Sequence, residues 1–127
     1  MSFKLKLIAI SGYPTSHFEI YDEAEHVGIC LLHHRPQSEM HLPEDFSGHI
    51  YYNIFPKFRG SGYAKNALTQ LLIAAKNIGL AEVYLVSDAE NVASMKVIEG
   101  RGGSLVGETK GADGKSYVRY RIPLGKK

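Results

Sequence analysis

Hydrophobic and polar positions alternate at the start of the chain, with Phe3, Leu5, Leu7 and Ala9 set against Lys4 and Lys6. That period of two predicts a strand with one buried face. Two short apolar runs, Phe18–Tyr21 and Val27–His33, flank the acidic stretch Asp22–Glu25 and predict a β-hairpin. Residues 34–47 carry Pro36 and Pro43 and little periodicity, so they read as a loop long enough to suggest function or mobility. Gly48–Phe55 is rich in aromatic and β-branched residues and predicts the next strand, which Pro56 ends.

Beyond Pro56 the period changes. Ala64, Ala67, Leu68, Leu71, Leu72 and Ala75 recur at helical spacing from about Tyr63, and Gly79 stands where a C-cap glycine belongs. Glu82–Ser87 is a strand again, and strand–helix–strand in this order implies a right-handed crossover and a parallel pair. Asn91 is placed to cap a second helix through Gly100, with Ala93, Val97 and Ile98 as its apolar positions. Ser104–Lys110 and Ser116–Leu124 form a hairpin around Gly111–Gly114. The pattern predicts an α/β (α+β) fold: a mixed, mostly antiparallel sheet of about six or seven strands with two main helices.

Composition narrows the classes. At 127 residues, 44% hydrophobic and 22% charged, the chain reads as one domain over residues 1–127 with a proper core, not as a disordered segment. A net charge of +2 gives no electrostatic footprint for nucleic acid. No segment approaches the roughly eighteen apolar residues of a membrane span, and the apolar part of Phe3–Ile10 is too short for a signal-peptide core. The single cysteine, Cys30, cannot form an internal disulfide, so a reducing, cytoplasmic setting is expected. His33, His34, His41 and His49 lack the spacing of a zinc site, and no metal is expected.

The chemistry concentrates between Ile54 and Ala67. A strand ends at Pro56, Gly60 and Gly62 lie two residues apart, and a helix starts. Main-chain N–H groups in such a turn converge, and the helix N-terminus adds about half a positive charge, which suits a phosphate. A P-loop would need Gly-Lys-Ser/Thr at the helix start, where Gly62-Tyr63-Ala64 stands instead. The dinucleotide fingerprint would need a third glycine where Lys65 sits.

Arg59-Gly60-Ser61-Gly62-Tyr63-Ala64 resembles the R/Q-x-x-G-x-G/A signature of the GNAT N-acetyltransferase superfamily, and it follows a strand similar to that superfamily's fourth. Asn91–Glu99, closing on Gly102-Gly103, resembles the superfamily's N-x-x-S-x-K-V-I-E segment, in the right order and at the expected separation. The resemblance implies acetyl-CoA as cofactor, bound where the parallel pair splays apart. It implies main-chain pairing of Ile54 and Phe55 with the pantetheine arm. The N–H groups of Arg59, Gly60, Ser61, Gly62, Tyr63 and Ala64 would hold the pyrophosphate, and Asn91 and Ser94 would lie beside the pantetheine. The implied reaction is direct acetyl transfer to an amine of a small molecule, peptide or protein.

That reaction has proton requirements. An alkyl ammonium of pKa about 10.4 is free amine in only about one molecule in 2,500 at pH 7, a cost near 4.6 kcal/mol. Here the chain departs from the family pattern. Ile98 stands where many members carry a tyrosine that protonates the leaving thiolate, and Gly48 and His49 stand where some carry a glutamate base. His49, Tyr51 and Asn53 alternate on one strand face, so His49 and Tyr51 are the candidate catalytic residues. The N-terminal helical pair of the family is missing, since only Ser11–His17 separates the first strand from the hairpin. The acceptor side is then open, or completed by residues 34–47 or by a second copy in a homodimer. The rival reading is a CoA- or acyl-CoA-binding module without transfer. A third is an interaction protein that uses a sheet edge.

Overall fold

The alternating N-terminal segment forms β1 (Phe3–Ser11), paired antiparallel with β2 (Thr15–Asp22), in a computed structural model that describes residues 3–11, 15–34 and 48–125. Leu5 sits opposite the buried Ile20, but Leu7, expected on the same buried face, is exposed, and the register shifts between Leu7 and Ala9. β2 begins at Thr15, before the apolar run starts, because its polar residues find partners across the ladder. Thr15 Oγ1 lies 2.7 Å from His33 Nδ1, and Ser16 Oγ lies 2.7 Å from His34 Nε2. Ser11 pairs with Thr15, so β1 and β2 are joined without an intervening helical pair.

β2 turns into β3 (Glu25–His33) through Glu23 and Ala24, with Glu23 at φ 56°. β3 then pairs with β4 (Ile50–Ile54). Of the expected loop over 34–47, residues 35–47 lie outside the described residues, as does His41. α1 (Tyr63–Asn77) buries Ala67, Leu68, Leu71 and Ala75 of the predicted stripe and adds Tyr63, while Ala64 and Leu72 are only partly buried at its margins. Gly79, at φ +98°, closes it: Leu80 N–H donates to Ala75 O and Gly79 N–H to Lys76 O, a Schellman pair. β5 (Glu82–Asp88), α2 (Val92–Gly100), β6 (Ser104–Lys110) and β7 (Ser116–Pro123) complete the order.

The strands divide into two ladders. One has the order β1-β2-β3-β4 and the other β5-β7-β6, with every laddered pair antiparallel. β4 and β5, connected by the crossover through α1, are the parallel neighbours of the mixed sheet. They touch where His49 N–H donates to Tyr84 O at 2.6 Å, and among the described residues β4 and β5 form no ladder beyond that point. α1 packs against β1, β3, β4, β5 and α2, so the apolar core under both ladders is shared. Cys30 lies within that core, and burial pushes its thiol up to about 12, which makes it an inert apolar residue. No helix among the described residues is long and apolar enough to cross a membrane.

Candidate functional site

The split between β4 and β5 leaves one edge of β4 without a partner strand. His33 N–H donates to His49 O and Phe55 N–H donates to Val27 O, which fixes the ladder phase on the β3 side. Tyr51 and Asn53 therefore exchange main-chain bonds with β3, while Ile50, Tyr52 and Ile54 turn their N–H and C=O groups toward the split. An extended, amide-bearing ligand arm could pair with that edge as a further strand would.

The strand leaves the split through a short 3-10 turn, Pro56–Phe58, which the sequence pattern did not reveal. Arg59 N–H donates to Pro56 O at 3.3 Å, so this amide closes the turn and is withdrawn from the row of donors expected to run from Arg59 to Ala64. Its guanidinium folds back instead: Nε donates to Ile54 O at 2.7 Å and Nη2 to Asn53 Oδ1 at 3.1 Å. Gly60 and Gly62 adopt φ +87° and +85°, and a Cβ at either would have no heavy atom within 4 Å. The glycines therefore serve the turn's conformation and the open space above it, not packing against protein. The first intrahelical bond of α1 runs from Asn66 N–H to Gly62 O at 3.1 Å, so Tyr63 and Ala64 carry open N-terminal donors. The Tyr63 side chain points elsewhere: its hydroxyl donates to Asp22 Oδ2 at 2.5 Å, and that bond raises the phenol above its ordinary value. Ser61 is exposed beside the glycines. Open donors, unfilled space and an unpaired strand edge together fit a ligand with a diphosphate and an amide arm.

Across the split, Asn91 caps α2 by accepting from Ser94 N–H at 3.1 Å. Ser94 Oγ lies 3.4 Å from the hydroxyl of Tyr52, so a side chain of β4 meets the first turn of α2. The alternation that sets His49, Tyr51 and Asn53 on one face puts Tyr52 on the other with Ile50 and Ile54, but nothing in that period reveals where its hydroxyl ends. Desolvation raises the Tyr52 phenol, with the Ser94 contact acting in the opposite direction.

The shared face expected for His49 and Tyr51 does not survive. Tyr51 is 52% exposed, whereas His49 is fully buried just before β4 begins. The His49 ring stacks on Tyr84 at 5.9 Å, and its Nδ1 accepts a hydrogen bond from Tyr84 N–H at 3.0 Å. The buried Arg119 guanidinium also lies over the Tyr84 ring, 4.2 Å from its centroid. His49 thus ties the two ladders together. A His49→Leu variant strands the Tyr84 amide and should lose about 2 kcal/mol of stability in denaturant unfolding. Normal stability with lost turnover would return His49 to a catalytic role.

A sequence profile described as an acetyltransferase (GNAT) domain matches residues 7–104. The chain is 28% identical over 95 residues to the uncharacterized N-acetyltransferase YycN of Bacillus subtilis (strain 168), covering 72% of this chain and 58% of that protein. It therefore spans little more than half the length of this curated relative. Among solved structures, a spermidine N-acetyltransferase SpeG chimera from Vibrio cholerae and hSSAT is similar with a TM-score of 0.77 at 15% identity, covering 98% of this chain and 96% of that one. The structure of yncA from Salmonella typhimurium with its cofactor acetyl-CoA is similar with a TM-score of 0.69 at 12% identity, covering 89% and 66%. At these identities the solved structures show a common fold. The profile match extends from β1 into β6 and takes in both motif segments, and the chain belongs to the GNAT acetyltransferase domain family.

Proposed function

We propose that this protein is an acetyl-CoA-dependent N-acetyltransferase that passes an acetyl group directly to an amine of a small molecule, peptide or protein. The observation that carries the reading is the junction Ile54–Ala64, where an unpaired strand edge runs into a turn of two positive-φ glycines and an open helix N-terminus. Bound there, the cofactor supplies an acetyl group activated as a thioester. The main chain of Ile54 orients the pantetheine arm, and the N–H groups of Gly60, Ser61, Gly62, Tyr63 and Ala64 hold the diphosphate; Phe55, expected beside Ile54, takes no part, because its N–H donates to Val27 O and its carbonyl accepts from Phe58 N–H. Asn91 and Ser94 flank the arm from the first turn of α2. The Arg59 guanidinium must leave Ile54 O before that carbonyl can accept from a ligand. Tyr51, exposed on the face opposite Tyr52, is the residue we assign to the acceptor amine.

A second reading, a CoA-binding module without transfer, is favoured by Ile98. It is buried in the core and offers no proton at the position where the family commonly has one. Thermal unfolding with and without acetyl-CoA tests binding: at about a hundred times the Kd, specific binding adds about 2.7 kcal/mol. CoA release over a panel of primary amines then separates the two readings, since a pure binding module releases none above hydrolysis. A cytoplasmic location accords with the buried free thiol of Cys30.

A further inference from the structure

We infer that the Tyr52 hydroxyl is the catalytic acid that protonates the departing sulfur, with Ser94 holding it in the split between β4 and β5. This rests on the acetyltransferase reading above.

Three observations converge on it. Tyr52 belongs to the phase of β4 whose main-chain groups face the open edge, so a ligand arm paired along that edge runs past its Cα. Its hydroxyl spans to Ser94 Oγ on the other side of the split, beside the capping Asn91. At 3.4 Å that contact is long for an O–H···O bond, so the hydroxyl is placed without being committed to its partner. The flanking Ile50 and Ile54 are buried, which keeps this part of the split dry. Desolvation holds the phenol protonated at neutral pH, the state an acid needs. One turn further along α2, Ile98 is in the core and carries no proton.

The step balances without any group beyond the proposed reactants. The amine lone pair forms the new C–N bond at the acetyl carbon, and the C–S bond breaks with its electron pair going to sulfur. Tyr52 gives its proton to that sulfur, leaving a thiol. The Tyr52 oxygen regains a proton from water, directly or through the Ser94 hydroxyl, and the surplus proton of the amine passes to solvent.

The test compares CoA with desulfo-CoA by calorimetric titration below and above the pH at which the CoA thiol ionises. The parent protein should bind CoA more tightly than desulfo-CoA once the sulfur is a thiolate, because the Tyr52 hydroxyl donates to it. Tyr52→Phe should bind desulfo-CoA as the parent does and lose the thiolate advantage, with kcat for acetyl transfer reduced by about a hundredfold. Ser94→Ala should lose part of that advantage, read as the ratio of CoA to desulfo-CoA affinity whatever happens to both alike, and it carries the test should Tyr52→Phe fail to fold. A Tyr52→Phe protein that keeps the advantage overturns the assignment and leaves acetyl transfer standing. Equal weakening toward both ligands also overturns it, since Tyr52 then only packs. A parent protein that binds neither ligand removes the acetyltransferase reading and this assignment together.

Discussion

Gly62→Glu should lose the thermal stabilisation that acetyl-CoA confers on the parent protein. The glycine sits at φ +85° directly before α1, and the space beside it is empty of protein atoms. Glutamate there costs about 1–2 kcal/mol for the left-handed backbone, which a domain of this size can bear. The larger effect is electrostatic and steric: a carboxylate enters the open space beside the Tyr63 and Ala64 amides, where the diphosphate is proposed to bind. Thermal unfolding therefore has two parts. The free variant should melt a few degrees lower, and the several-degree upward shift given by saturating acetyl-CoA should vanish. Gly62→Ala separates the causes, since it carries the backbone strain without the charge and should retain a measurable part of the shift. A Gly62→Glu protein that still shifts like the parent would place the diphosphate elsewhere.

The other large effect is expected at Gly48, beside the point where the two ladders touch. A Cβ at this position would lie 2.6 Å from Tyr84 O and 3.0 Å from Leu85 Cα, both main-chain atoms that cannot rotate away. Gly48→Ala must therefore push β4 from β5 at their one main-chain junction, and a loss of about 3 kcal/mol is expected in chemical denaturation. The same geometry explains a departure visible in the sequence. Some family members carry a glutamate near this point of the strand, but here the Tyr84 carbonyl fills the space a side chain would need. Gly48→Glu, the obvious attempt to supply a base, should unfold the protein and not activate it. A stable, faster Gly48→Glu enzyme would show that the junction opens far more readily than its contacts indicate.

Much of this architecture was legible because the governing signals are local. The period of two in Phe3–Lys6, the helical stripe from Ala67 to Ala75 and the C-cap at Gly79 each depend on neighbours within a few residues. The same holds for the two glycines before α1, whose positive φ is a local demand. What stayed hidden is long-range. His49 looked like one member of an alternating polar face, yet a residue 35 positions away takes up its Nδ1. Tyr52 reads as one more residue of an apolar strand face, and its partner Ser94 lies 42 positions on. Arg59 was legible as a motif residue, but the direction of its side chain depends on the 3-10 turn that points it back at Ile54. The register shift in β1 was likewise invisible, because an inserted residue changes facing without changing composition.

The division of the sheet also determines which force keeps its two parts together. Within each ladder, neighbouring strands are held by rows of main-chain hydrogen bonds, whose strength changes little over ordinary temperatures. Between the ladders the His49 N–H donates to Tyr84 O, reinforced by the ring of His49, and further cohesion comes from Ile50, Ile54, Val83, Leu85 and the helix residues packed on them. That cohesion is hydrophobic, and hydrophobic association weakens on cooling. The joint at which a ligand arm is proposed to enter thus depends chiefly on the force that weakens on cooling.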